Sequence, residues 1–158
     1  MKKKFLITLG IVLALVGVSV AGIAFASMNA PKHPSEYHIG INYEDALKSD
    51  RPMLAVFYVD WCGYCLRFMP KFNILSKLYK DRFNFVMINV EENKETAKLA
   101  QEVGISGFPT VYVLDPKYDN RVLMPNVVYQ DLGKFRVELD RYLRIRGLLD
   151  SKNNEILK

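Results

Sequence analysis

Apolar residues in this chain form one long unbroken stretch, followed by short blocks whose spacing alternates between continuous and helical. The long stretch runs from Phe5 to Ala26 without a charged residue. From Ser27 to Ile41, Pro31, Pro34, Asn29, Lys32 and Glu36 offer little to bury, and the segment reads as a linker. Asn42 is placed to N-cap a short helix over Tyr43 to Lys48. Met53 to Val59 is a continuous apolar run of strand length, the pattern of a central strand covered on both faces. From Gly63 to Lys80 the residues Leu66, Met69, Phe72, Leu75 and Leu78 recur at helical spacing, and Pro70 inside that run predicts a kink. Phe83 to Val90 reads as a second strand. Asn93 to Val103 reads as a helix ended by Gly104, and Thr110 to Leu114 as a third strand. Arg121 to Tyr129 is expected to hold one more strand, interrupted by Pro125. A last helix is expected from Asp131 to Arg146, burying Leu132, Phe135, Leu139, Tyr142 and Leu143.

Strand, helix, strand and helix, then a strand pair and a closing helix, predict an α/β domain with a central mixed sheet flanked by helices. The first crossover is expected to be right-handed. The chain divides on this reading into an N-terminal membrane or signal segment (1–26), a linker (27–41), the folded domain (42–148) and a C-terminal tail (149–158).

Composition changes the picture mainly at the N-terminus. Half of the residues are hydrophobic and a quarter are charged, enough apolar material for one packed core. The net charge of +5 includes Lys2, Lys3 and Lys4, and without them 19 basic residues face 17 acidic ones. That balance excludes the broad basic stripe of a nucleic-acid binder, and Arg141, Arg144 and Arg146 read as the solvated side of a helix. Three lysines ahead of an apolar stretch form a membrane-targeting pattern that keeps the basic end in the cytoplasm. Residues 5–26 are long enough to span a bilayer as a helix, and Ala24-Phe25-Ala26 fits a small-x-small cleavage site. A retained anchor and a cleaved signal peptide both fit, and either places the domain outside the cytoplasm.

The chemistry rests on two cysteines, Cys62 and Cys65. A disulfide-stapled scaffold needs more of them, spread along the chain, and a loop this short constrains the unfolded state little. The pair stands where the apolar strand gives way to the helix, in Asp60-Trp61-Cys62-Gly63-Tyr64-Cys65. Free amides and the partial positive charge at a helix start favour the thiolate, the attacking species, at Cys62. Cys65, one turn later, is placed to attack a mixed disulfide on Cys62 and release the product. Gly63 is expected to let the backbone enter the helix unobstructed. Leu66 occupies the position a haem-attachment motif gives to histidine. A structural zinc site lacks ligands, because the remaining histidines, His33 and His38, lie in the presumed linker. Asp60 reads as solvated.

These features resemble the thioredoxin superfamily. The carriers are Trp61-Cys62-Gly63-Tyr64-Cys65, Pro70 five residues after the second cysteine, and Gly104-Ile105-Ser106-Gly107-Phe108-Pro109-Thr110. The resemblance covers roughly Asn42 to Arg146 and implies the thioredoxin fold. It further implies a cis peptide before Pro109, catalysis by Cys62 and Cys65, and substrate contacts from Trp61, Gly63, Tyr64, Phe108 and Pro109. The Phe108 backbone would pair with an extended substrate segment. No metal is implied, and no cofactor beyond a redox-active Cys62–Cys65 disulfide. Val56 stands where cytosolic thioredoxins carry a buried acid, Tyr64 where they carry proline, and Leu66 where a lysine often follows. Gly63-Tyr64 is similar to the dipeptide of periplasmic disulfide isomerases. The expected function is extracytoplasmic thiol–disulfide exchange, with exported protein thiols and disulfides and a membrane-linked redox protein as partners and no nucleic acid. The alternative is a membrane-tethered binding or assembly module that keeps the fold with little redox turnover.

Overall fold

A computed structural model describes residues 32–156. The expected anchor or signal segment, 1–26, and the first part of the linker lie outside the described residues. Four strands form one sheet in the order β2-β1-β3-β4: β1 (Met53–Tyr58), β2 (Asn84–Asn89), β3 (Thr110–Asp115) and β4 (Asn120–Met124). Strand β1 pairs parallel to β2 and antiparallel to β3, and β3 pairs antiparallel to β4. The helices are α1 (Tyr43–Leu47), α2 (Gly63–Leu78), α3 (Lys94–Val103), α4 (Asn126–Tyr129) and α5 (Leu132–Ile156). This is a mixed sheet flanked by helices.

The alternation of side chains along β1 explains why that strand is apolar throughout. Leu54 and Val56 join one core with Phe68, Phe72 and Leu75 of α2 and Phe135 and Leu139 of α5. Met53, Ala55 and Phe57 point into a second core with Ala46 of α1 and Ala100 of α3. Aromatic rings hold the first core together: Phe72 meets Phe85 edge-on, with centroids 5.2 Å apart, and Phe68 meets Tyr129 at the same separation.

Local signals set the helix ends. The Asn42 side chain accepts the Asp45 N–H at the start of α1, and Asn93 accepts the Thr96 N–H at the start of α3. Gly104 ends α3 in the left-handed conformation, with φ of 79°. Helix α2 continues through Pro70 to Leu78. Its buried stripe includes Phe68, which the periodicity omitted, and excludes Leu78, which is 50% exposed.

Three segment readings need correction. The stretch read as linker is packed onto the domain over its described C-terminal part. Pro34–Tyr37 forms a 3-10 turn, Ile39 enters the first core, and the Ile41 N–H donates to the Phe85 carbonyl at 2.9 Å. Gly40, with φ of 81°, is required there, since a Cβ would lie 1.8 Å from that carbonyl oxygen. Beyond Pro125 the expected strand is the helical turn α4: Pro125 is its N-cap residue, and its carbonyl accepts the Val128 N–H at 2.9 Å and the Tyr129 N–H at 3.2 Å. Helix α5 runs to Ile156, well past Arg146, so 149–156 is helix where a tail was expected. Its added turns are tied down by polar contacts that periodicity does not register. Asp150 accepts from Lys117 and Tyr118, and Arg146 pairs with both Asp115 and Asp150.

Candidate active site

The strand register brings three chain segments to one end of the sheet. Tyr58, the last residue of β1, lies opposite Asn89, the last of β2, while Phe57 lies opposite Thr110, the first of β3. The motif after β1, the turn after β2 and the loop before β3 therefore meet. The Phe108–Pro109 peptide in that loop is cis.

Cys62 is the N-cap residue of α2, and its sulfur accepts the Cys65 N–H at 3.3 Å. This is the position at which the orphan amides of a helix face an anion, so charge arriving on the sulfur is already solvated. The Cys62 S–H donates to the Phe108 carbonyl at 3.4 Å, which places the reactive sulfur against the cis-proline loop. Both cysteines are free thiols in this structure. Cys62 retains 7% exposure and Cys65 none, an inequality that suits an attacking and a resolving sulfur. Burial, and next the hydrogen bond with Cys62, push the Cys65 thiol up to about 12. It stays protonated until its proton has somewhere to go.

The residues expected to touch substrate are divided by the structure. Trp61 is 70% exposed, and its indole N–H donates to both carboxylate oxygens of Glu91 at 3.0 Å. Tyr64 is 64% exposed beneath the Arg67 guanidinium, which lies 4.6 Å from its ring centroid. Phe108 is half-buried and Pro109 buried beside Cys62. Gly63 has an ordinary negative φ, and a Cβ there would meet only the tip of Arg67 at 4.0 Å, so the helix start does not demand glycine. Asp60 is a structural group: it accepts the Ser35 N–H at 2.9 Å and fastens the 3-10 turn to the motif.

Val56 is fully buried in the position where an acid was absent from the sequence pattern. Two tyrosines are the ionisable neighbours of the sulfurs instead. Burial, followed by Asp60, Glu92 and Cys65, raises Tyr58 to about 12. Tyr129 is raised by burial and then by Cys65 and Cys62, and its hydroxyl donates to the Pro109 carbonyl at 2.9 Å. Reading the sequence alone missed Tyr129, because its segment was assigned to a strand. Glu91, Arg67 and Lys71 were missed as well, because nothing in a single sequence marks surface charges as neighbours of a motif. Among the described residues no group of three or more histidine, cysteine or acidic side chains could hold a metal, and no helix is long and apolar enough to cross a membrane.

A dithiol at a strand-to-helix junction, faced by a cis-proline loop on a four-stranded mixed sheet, defines a thioredoxin-type protein. The thioredoxin family model matches residues 36–124, more than half of the chain. The chain belongs to that family. It is 41% identical over 73 residues to the chloroplastic thioredoxin-like protein HCF164 of Oryza sativa subsp. japonica, covering 46% of this chain and 28% of that one. To the thiol:disulfide interchange protein TxlA of Synechococcus elongatus it is 36% identical over 73 residues, covering 46% and 38%. It is 32% identical over 107 residues to a protein disulfide-isomerase of Drosophila melanogaster, covering 66% and 21%. The matched stretch thus spans well under half of each relative's own length. Among solved structures, the Trx4 domain of ERdj5 superposes with a TM-score of 0.54 at 20% identity, covering 66% of this chain and 96% of that one.

Proposed function

We propose that this protein is a thiol–disulfide oxidoreductase that acts on protein disulfides outside the cytoplasm. One observation carries the reading: Cys62 stands at the mouth of the site as the α2 N-cap, against the Phe108 carbonyl, with the thiol of Cys65 sealed behind it. The Cys62 thiolate attacks one sulfur of a substrate disulfide. A bond forms between Cys62 and that sulfur, and the other substrate sulfur leaves as a thiolate and takes a proton. Cys65 then gives up its proton and attacks the Cys62 sulfur, which expels the second substrate thiol and leaves a Cys62–Cys65 disulfide. Two electrons have passed from the dithiol to the substrate, and a donor dithiol restores the starting state. The names of the relatives, one an interchange protein and one a disulfide isomerase, support this chemistry.

The compartment rests on Lys2–Lys4 and the uncharged stretch from Phe5 to Ala26, a pattern that carries the C-terminal remainder of a chain across a membrane. Exported proteins are the substrates on this reading, and a membrane-linked dithiol protein is the electron donor.

One pair of variants tests both parts. Cys62→Ser abolishes reduction of insulin disulfides, whereas Cys65→Ser, expressed in cells as the full chain, accumulates mixed disulfides with exported proteins. Full activity in Cys62→Ser removes the nucleophile from the argument, and capture of cytoplasmic proteins alone by Cys65→Ser overturns the compartment.

A further inference from the structure

A polypeptide presenting its disulfide to Cys62 crosses the mouth of the site, and the two flanks of that mouth differ in charge. Strand β2 lies on one side of β1, and β3 and β4 lie on the other. The β2 flank carries Glu91, bonded to Trp61, and Glu92 in the same turn. On the opposite flank a groove of about 440 Å³ opens between α2 and α4, with Phe68 and Pro109 in its lining. The charged residues lining it are Arg67 and Lys71, both cationic, and no carboxylate lines it. Neither cation has a carboxylate within ion-pair distance among the described residues. Asp131, the nearby acid, is engaged at the start of α5, where it accepts the Lys134 N–H at 3.0 Å.

Both cations are held in place. The Arg67 guanidinium is stacked on Tyr64, an arrangement that leaves the edge of its planar fork open to a carboxylate. The Lys71 ammonium donates to the Gln130 carbonyl, which anchors it at the groove wall. The groove also adjoins the chemistry, since Phe108 lines it and accepts the Cys62 S–H. Resting on the oxidoreductase reading, we infer that this groove is a specificity subsite for an acidic side chain of the substrate polypeptide, a few residues from the sulfur under attack. The carboxylate docks between Arg67 and Lys71 before any bond changes, and the acidic β2 flank turns away a substrate laid in the opposite sense.

The test uses the full chain, reduced beforehand, in single turnovers with symmetrical disulfide dimers of short peptides. Each peptide has one cysteine with two aspartates on either its N-terminal or its C-terminal side. Reference dimers carry asparagine or lysine at the same places. One of the two aspartate dimers is reduced roughly fivefold faster than the asparagine dimer at low ionic strength, the size expected of two exposed ion pairs. That advantage disappears near 1 M salt and in Arg67→Gln/Lys71→Gln, while the lysine dimer of the same sense is slower than the asparagine one. Neither side chain belongs to the apolar cores, so their replacement leaves those cores intact, and the salt series gives a second measurement on the unaltered protein. If neither aspartate dimer outpaces the asparagine dimer, or the advantage persists in the double variant, the subsite is wrong while the redox chemistry stands. If the unaltered protein reduces neither the asparagine dimer nor the small neutral disulfide of 2-mercaptoethanol, the oxidoreductase reading fails and takes the subsite with it.

Discussion

The two ends of β3 each bury a group able to carry charge, and the surroundings of the two groups differ. At the motif end, the Cys62 sulfur meets the Cys65 N–H at 3.3 Å, the Phe108 carbonyl at 3.4 Å and the Cys65 thiol, all weak contacts of a weak partner. At the far end, Asp115 is 1% exposed, and both of its carboxylate oxygens are engaged. One accepts the Lys117 N–H at 3.2 Å; the other accepts the Tyr142 hydroxyl at 3.0 Å and the Arg146 Nε at 2.7 Å. A buried carboxylate holding three hydrogen bonds across both of its oxygens is kept in one arrangement. A buried sulfur with weak partners can exchange them for another sulfur at little cost. The first arrangement fastens helix α5 to the sheet, and the second leaves room for chemistry.

The largest effect that could break this contrast is on stability. Asp115→Ala takes the Arg146 and Tyr142 bonds from the helix–sheet junction, and because Arg146 keeps Asp150 as a partner the cost is about 2–3 kcal/mol. Chemical denaturation reads that cost directly. A loss below about 1 kcal/mol would mean that the network is ornamental, and the far end would then have no claim to a structural role.

A second effect separates the ends by pH. In the reduced protein the Cys65 thiol is pushed up to about 12, above its ordinary value of 9.0, so the unfolded chain releases this proton first. Stability from this group is therefore complete below pH 9 and falls as pH rises towards 12. At pH 10.5 the loss is about 2 kcal/mol. Tyr58 is also raised to about 12, but from 10.0, so its share begins one pH unit later. Replacing Cys65 with alanine removes the decline between pH 9 and 10 and leaves the later one. Denaturation midpoints of the two reduced proteins across that range check the assignment, and identical profiles would contradict it.

How much of this was legible in the sequence obeys the same division. The motif end is built from local signals, since a continuous apolar strand, two cysteines at one helical turn and a proline before the third strand each act within a few residues. Cys62 and Cys65 were therefore placed at one helix start from the residues themselves, Phe108 and Pro109 were set beside them by the resemblance to thioredoxins, and the strands and helices from Tyr43 to Asp115 fell within a residue or two of their expected bounds. The far end depends on contacts between residues widely separated along the chain. Arg146 bonds Asp115 and Asp150 bonds Tyr118, pairs that leave no periodic trace, so α5 was expected to stop ten residues early. The packed stretch before Asn42 was obscured for a related reason. Two prolines and several polar residues look like a linker until Ile39 is seen in the core and Gly40 against Phe85. Charge placed around the motif by folding, as with Arg67 and Lys71, was likewise invisible.

The smallest effect sharpens the contrast most, because it sets one tyrosine hydroxyl at each end against the other. Tyr129 donates to the Pro109 carbonyl at 2.9 Å and Tyr142 to Asp115 at 3.0 Å, and phenylalanine at either position keeps the ring and removes the bond. Each bond is worth about 1 kcal/mol. Tyr142→Phe takes that energy from the helix–sheet junction and lowers stability, with kcat/KM for a protein disulfide left as it was. Tyr129 instead positions the loop that the Cys62 sulfur faces. Its loss is expected to appear as a rise in KM and a fall of roughly fivefold in kcat/KM, with a smaller change for a small disulfide that spans none of the loop. Measured side by side, the two variants should fail in different assays. If Tyr129→Phe loses stability alone, as its counterpart does, the cis-proline loop is held by packing and the two ends of the molecule are built on one plan.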